Sequence, residues 1–370
     1  MDRPPRVAVT MTQCWHRVPG GVASSVARLV DALAATGQVE LVAVAPRTHR
    51  PPAPWSPSVE TAQLPLPLPV LYDVWHRGAW PSVESSVGPV DVVHHTIPIV
   101  PGPGAAPVLA TVHDVLPLTD PASFTGRGAR LMRRGLRRIR DTASAIAVPS
   151  RHVAEAAVSI GASPTRLHVV PWGIDPATPG DDEVLATRAR YGLAGEYVLF
   201  VGTIEPRKGL DVLTAAIGRL DRPELTLAIA GPEGWGEVFA DELAGVASPV
   251  ARLGFVADED LAPLMRGAAV VCVPSRAEGF GLPVLEAMAA GAPVVTTAGT
   301  ALAEVAGEAA VLVAPGDAEA LAGALASVLD DADLADQLRA AGVTRASRHR
   351  WDDCAHRYLE LYRLVAGGPR

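Results

Sequence analysis

Two α/β domains, each a doubly wound parallel sheet, are the architecture this sequence predicts. Three observations carry that reading. At 370 residues the chain is too long for one ordinary core and suits two domains of roughly 150–200 residues. Short β-branched runs alternate with longer helical patterns throughout, as in parallel sheets covered by helices. A segment dense in turn formers, Pro176-Ala177-Thr178-Pro179-Gly180-Asp181-Asp182, marks where one such series gives way to a second.

In the first series the expected strands are Arg6–Thr10, Val39–Ala45, Val90–His94, Val108–Thr111, Ala145–Val148 and Leu167–Val170. Between the first two, Val22, Val26, Leu29, Val30 and Leu33 recur at helical spacing and predict a helix over Val22–Ala35. The Pro-rich stretch Pro46–Pro69 reads as an extended excursion outside the core. Arg127–Arg140 holds seven arginines threaded with Leu131, Met132, Leu136 and Ile139, a helix with a basic face beside an apolar stripe. Such a helix either packs its stripe inward and solvates its charges, or docks on anionic lipid. The second series gives Tyr197–Val201, Leu225–Ala230, Val250–Leu253, Val270–Val273, Pro293–Thr296 and Ala309–Val313. A final helix over Trp351–Val365 carries Trp351, Tyr358, Leu359, Leu361, Tyr362 and Leu364. Doubly wound halves place a ligand at the carboxyl ends of their strands, here in a cleft between the two.

Composition excludes several classes of function. A formal charge of -8 argues against nucleic-acid binding, which needs a basic face. Cys14, Cys272 and Cys354 are scattered, with no CxxC spacing, and read as free thiols in a reducing cytoplasm. The first apolar run, Val7 to Met11, is too short for a secretion signal, and no run reaches the ~18 residues that span a bilayer. A soluble cytoplasmic protein is expected, at most peripheral to a membrane. Neither G-x-G-x-x-G after a strand nor a P-loop occurs, which lowers the dinucleotide and P-loop readings.

Arginine fills nearly every basic position: the chain has 31 arginines and one lysine, Lys208. That lysine lies in Gly202-Thr203-Ile204-Glu205-Pro206-Arg207-Lys208-Gly209. A compact ammonium beside a forked guanidinium, in a turn after an apolar strand, suits a phosphate or diphosphate; the plainer reading is a solvated turn. After the strand Val270–Val273 comes Pro274-Ser275-Arg276-Ala277-Glu278-Gly279-Phe280-Gly281-Leu282-Pro283-Val284-Leu285-Glu286. Pro283 suits the first turn of a helix and Gly291 its end. Gly279 and Gly281 free the loop to turn its N–H groups toward a ligand. Glu278 in the loop and Glu286 on the helix then grip neutral hydroxyls, as on sugars. Asp258-Glu259-Asp260 has the literal D-x-D form of a metal site, but it precedes an apolar helical pattern and reads as capping.

The Glu278 to Glu286 segment is the E-x7-E pattern of retaining glycosyltransferases with the GT-B fold, and it resembles glycosyltransferase family 4. The resemblance spans nearly the whole chain. It takes in the turn Val201–Gly209, Ala230-Gly231-Pro232, Leu253-Gly254-Phe255-Val256 and Pro171-Trp172-Gly173-Ile174-Asp175. One departure is that many members place the phosphate arginine in G-R-L, where this chain has Gly202-Thr203-Ile204; Arg207 takes that part here.

The resemblance implies a domain over 1–176 that binds the acceptor and one over 177–350 that binds the donor. The last segment, 351–370, would cross back to the first domain. Arg207 and Lys208 would hold the diphosphate of a nucleoside-diphosphate sugar and stand in for a metal, so no metal or other cofactor is expected. Glu278 would contact the sugar near its anomeric centre, with backbone amides of Phe280, Gly281 and Leu282. Glu286 would take the ribose hydroxyls, and the base would lie against Phe255 and Val256. In the first domain Gly20-Gly21, expected just before the first helix, would let Gly21 approach the diphosphate, and His113 would lie near the sugar. His94 and His95 are weaker candidates. The acceptor would attack from the face the diphosphate leaves, with no protein nucleophile. The turn Gly-Thr-Ile-Glu-Pro-Arg-Lys is similar to members that use GDP-mannose. A sugar, lipid-linked or small-molecule acceptor would meet loops such as Pro65–Trp80. The alternatives are a sugar-phosphate phosphorylase or synthase of the same fold, or a non-catalytic nucleotide-sugar-binding protein.

Overall fold

A computed structural model describes residues 3–16, 20–48, 55–78, 80–232 and 248–368. The chain divides into two compact units: residues 1–173 together with 350–370, and residues 174–349.

The first unit is built on a seven-stranded parallel sheet. Its strands are β1 (Arg6–Thr10), β2 (Glu40–Ala45), β3 (Thr61–Gln63), β4 (Val92–His95), β5 (Val108–Thr111), β6 (Ala145–Val148) and β7 (Leu167–Val169). Their order is β3-β2-β1-β4-β5-β6-β7, so the winding reverses between β1 and β4, where Val7 pairs with Val92. The central strands are apolar on both faces, as a sheet with helices above and below requires. The second unit repeats the plan with β8 (Tyr197–Val201), β9 (Thr226–Ala230), β10 (Val250–Gly254), β11 (Val270–Val273), β12 (Val294–Thr297) and β13 (Val311–Val313). The order β10-β9-β8-β11-β12-β13 puts its reversal between β8 and β11. A doubly wound sheet opens a ligand crevice where its winding reverses, at the carboxyl ends of the strands. Five strands match the sequence reading residue for residue, and the other expected strands differ by at most two residues at an end.

The Pro-rich excursion is a correction. Within Pro46–Pro69, β3 adds an edge strand beside β2, Leu64 is buried, and a helix begins at Leu68; residues 49–54 lie outside the described residues. That helix, Leu68–His76, also replaces part of the loop expected over Pro65–Trp80. Leu68, Leu71, Tyr72 and Trp75 fall at helical spacing, and the last three are buried, so packing overrides the local proline content. A second correction concerns Gly20 and Gly21. The helix starts at Gly20 rather than after the pair, which is tolerable because the first-turn amides of a helix have no internal partners.

The C-terminal helix, Trp351–Gly367, buries Cys354, Ala355, Tyr358, Leu359, Leu361, Tyr362 and Val365 within the first unit. Polar contacts fix it there. His94 Nδ1 meets the Tyr362 hydroxyl at 2.9 Å and its Nε2 meets Thr111 Oγ1 at 2.8 Å, while Thr111 Oγ1 also meets the Tyr358 hydroxyl at 2.8 Å. Burial and the neighbouring His95 and His113 lower the His94 pKa to about 3, so the ring stays neutral and one nitrogen donates while the other accepts.

Candidate active site

Within the second unit the loops after β8 and β11 are neighbours because those strands pair. After β8 the chain makes a short 3-10 turn, Pro206–Lys208, ending at Gly209 with φ 69. A Cβ at Gly209 would stand 2.2 Å from the carbonyl oxygen of Pro274, so only glycine lets the two loops close. The Arg276 amide donates to the Arg207 carbonyl at 2.8 Å, and the Arg276 guanidinium pairs with Asp211 and donates to the Pro206 carbonyl at 2.8 Å. From below, the Thr297 hydroxyl donates to the Ser275 carbonyl at 2.7 Å.

This scaffold brings Arg207, Lys208 and Glu278 together. Lys208 Nζ donates to Glu278 Oε1 at 2.5 Å, Arg207 Nη1 to Glu278 Oε2 at 3.1 Å, and the Ser275 hydroxyl to Oε1 at 2.9 Å. Arg207 also reaches the buried Glu205 at 2.5 Å. Burial by itself raises the Glu278 pKa, but the charges of Lys208 and Arg207 and the hydrogen bonds from Lys208 and Ser275 outweigh it, and the carboxyl titrates at about 2. The sequence reading gave both cations to a diphosphate; here they also clasp the glutamate.

The helix Leu282–Ala289 follows, with Pro283 in its first turn and Gly281 before it at φ 109. A Cβ at Gly281 would meet Leu302 at 2.3 Å. The amides of Phe280, Gly281 and Leu282 donate to no acceptor among the described residues. The Phe280 ring is buried, edge-on to His349 at 6.1 Å, so its backbone is what it offers a ligand. Glu286 lies on this helix, and its carboxyl makes no hydrogen bond among the described residues. Burial, then the charges of Asp258 and Asp175, push its pKa up to about 7. The two glutamates, eight residues apart, therefore have opposite electrostatics: one is a locked anion, the other an open carboxyl near its midpoint at neutral pH. Val256 is buried, whereas Phe255 is 63% exposed.

Asp258-Glu259-Asp260 forms the first turn of the helix Asp258–Gly267, but Ala257 is the cap residue and no side chain caps the helix. The capping expectation is thus corrected to a first-turn position, where carboxylates still favour the helix dipole. Asp260 is buried and held by Arg190 and by the Tyr191 hydroxyl at 3.0 Å.

In the first unit His113 follows β5. Its Nε2 meets the Thr96 carbonyl at 2.8 Å and its ring stacks on Trp172 at 5.5 Å. A carbonyl only accepts, so Nε2 carries the proton and Nδ1 is an acceptor. Burial lowers the pKa to about 4 against the opposing effect of the Thr96 bond, and the ring is neutral. Gly21 is exposed, with open space where a Cβ would stand. His95 is buried beside Arg138, with no partner for its Nδ1 among the described residues. Two residues of the cluster escaped sequence reasoning, Ser275 and Glu205. Each sits within three residues of a named one, and that adjacency was the available signal.

The profile of the family described as "Glycosyl transferases group 1" matches residues 195–331, and that of "Glycosyltransferase Family 4" matches residues 19–178. The O-antigen chain mannosyltransferase B of Escherichia coli is 34% identical over 190 residues, which span 50% of this chain and 50% of that protein. The D-inositol 3-phosphate glycosyltransferase 1 of Catenulispora acidiphila is 31% identical over 329 residues, spanning 82% of this chain and 75% of that one. Among solved structures, Alr3699/HepE of Anabaena in complex with UDP-glucose superimposes with a TM-score of 0.75 at 19% identity, covering 96% of this chain and 99% of that one. Fold and sequence together define a glycosyltransferase with the GT-B fold. The chain belongs to the group 1 glycosyl transferases, with a family 4 first half.

Proposed function

We propose that this enzyme moves a hexose, mannose in preference, from a nucleoside-diphosphate sugar to a sugar, lipid-linked or small-molecule acceptor, with retention and without a metal. The observation that carries the reading is the Glu278 cluster. Two cations, an anion held at low pKa and three open amides converge where the second sheet reverses its winding. Arg207 and Lys208 face the diphosphate and neutralise charge as the glycosidic bond breaks, the role a divalent ion plays elsewhere. Preorganised donors of this kind commonly contribute ~10²–10³ in rate each. Glu278 and the amides of Phe280, Gly281 and Leu282 hold the sugar, and the open Glu286 carboxylate accepts from the ribose hydroxyls. The base lies along Val256. In the first unit, His113 keeps Nδ1 as an acceptor and Gly21 leaves open space at the helix start.

GDP-mannose is the favoured donor. The mannosyltransferase relative at 34% identity weighs more than the UDP-glucose found in a fold neighbour at 19%. Titration calorimetry of the intact chain with GDP-, UDP-, ADP- and dTDP-sugars, in the presence of a chelator, tests the proposal. Binding of GDP-mannose that Lys208→Ala weakens at least tenfold is the expected result. Failure of every donor to bind folded protein would overturn it, and binding of another nucleotide alone would overturn the mannose assignment.

A further inference from the structure

The arginine helix spans Gly126–Thr142, and its apolar stripe points inward. Ala129, Gly135, Leu136 and Ile139 are buried, with Leu136 and Ile139 packed among Val100, Ala110, Val112 and Val148. The stripe is therefore unavailable to a membrane. Three arginines are also used by the protein. Arg127 pairs with Asp73, Arg138 donates to the carbonyls of Trp75, Val100 and Pro101, and Arg140 pairs with Asp141.

The other four are Arg130, Arg133, Arg134 and Arg137. Their spacing places them along one side of the helix, opposite the buried stripe, and three of them are exposed. None of their side chains makes a hydrogen bond or ion pair among the described residues. An ordinary solvated helix face alternates its charges, whereas the only acid of this helix is Asp141, already taken. Four like charges three and four residues apart repel and weaken the helix, so this face costs the isolated protein stability. It also runs against the chain as a whole, which carries a formal charge of -8.

The adjoining helix Leu68–His76 extends the same field. Burial, then Arg134, Arg130 and Arg77, lower the His76 pKa. On that helix and in the segment after it, Val70 is 47% exposed and Trp80 57% exposed.

We infer that this arginine face docks the enzyme on an anionic lipid surface through charge rather than by burying an amphipathic helix. A flat sheet of lipid phosphates matches a row of guanidinium groups that have no partner among the described residues. The inference is independent of the transfer chemistry, because none of the four arginines belongs to the candidate active site.

Co-sedimentation of the intact chain with phosphatidylcholine vesicles, with and without phosphatidylglycerol, tests it at low and high salt. Binding is expected only to the anionic vesicles and is lost at high salt. Each arginine near such a surface strengthens binding about fivefold, so replacing Arg130, Arg133, Arg134 and Arg137 with Gln weakens it by about several hundredfold. The matching Lys variant retains most binding, and both variants bind donor like the parent. Equal binding to neutral vesicles, no binding by the parent, or undiminished binding by a folded Gln variant would each overturn the inference. Retention on duplex DNA with vesicles left unbound would assign the face to nucleic acid and overturn it equally.

Discussion

Around Glu278 the formal charges of Arg207, Lys208, Glu205 and Glu278 cancel. Removing the Glu278 charge unbalances the site in a measurable way. Glu278→Gln is expected to lower kcat by about 10²-fold while nucleoside diphosphate alone binds at least as tightly, because both cations are released toward it. Loss of diphosphate binding in that variant, read by calorimetry, would mean that Glu278 holds the turn in shape rather than acting on the sugar. Glu286 makes the opposite case. Its folded pKa, about 7, lies above the ordinary value of 4.5, so the folded state binds the extra proton between those limits. The contribution of this group to stability therefore falls as pH rises from about 4.5 to 7, by up to about 3 kcal/mol. Glu286→Gln should melt higher than the parent at pH 8 and bind donor more weakly there. Parallel melting curves for the two proteins at pH 5 and pH 8 would contradict the assigned shift.

At the scale of elements, the loops after β8 and β11 act as one piece because Gly209 lets them touch. Gly209→Ala combines a left-handed backbone with a clash against the Pro274 carbonyl and should cost about 2–4 kcal/mol. Its effect on transfer should exceed that of an equally destabilising core substitution such as Val295→Ala, in parallel denaturation and rate measurements. Most elements were legible in the sequence, since buried parallel strands are continuous apolar runs whose ends are set by turn residues. What was hidden follows a physical rule. β3 has exposed or half-buried residues and is defined by its pairing with β2, and pairing is not a local property of three residues. The E-x7-E segment named Glu278, yet nothing in it says that Ser275, Lys208 and Arg207 converge on that carboxylate. Which charges pair is decided by the order of strands, which the sequence shows only through the family.

Considered whole, the molecule ties its last helix to its first sheet. Tyr362→Phe leaves a buried His94 nitrogen without a partner, at a cost of about 1–3 kcal/mol. Hydrogen exchange should show the loss in β4, β5 and the C-terminal helix, with the strands of the second unit unchanged. Exchange that quickens equally in both units would mean that the two unfold as one. The same tie has a consequence for how the protein is made. Synthesis runs from the amino-terminal side, so the first unit's sheet leaves the ribosome without the helix that covers part of it. The second unit, residues 174–349, is complete before that helix appears. Nascent chains fold as their units are completed, and here the segment synthesised first is the one finished last. Until Tyr358 and Tyr362 emerge, the polar ends of β4 and β5 wait without their partners, a window in which a chaperone or a protease meets an unfinished first unit.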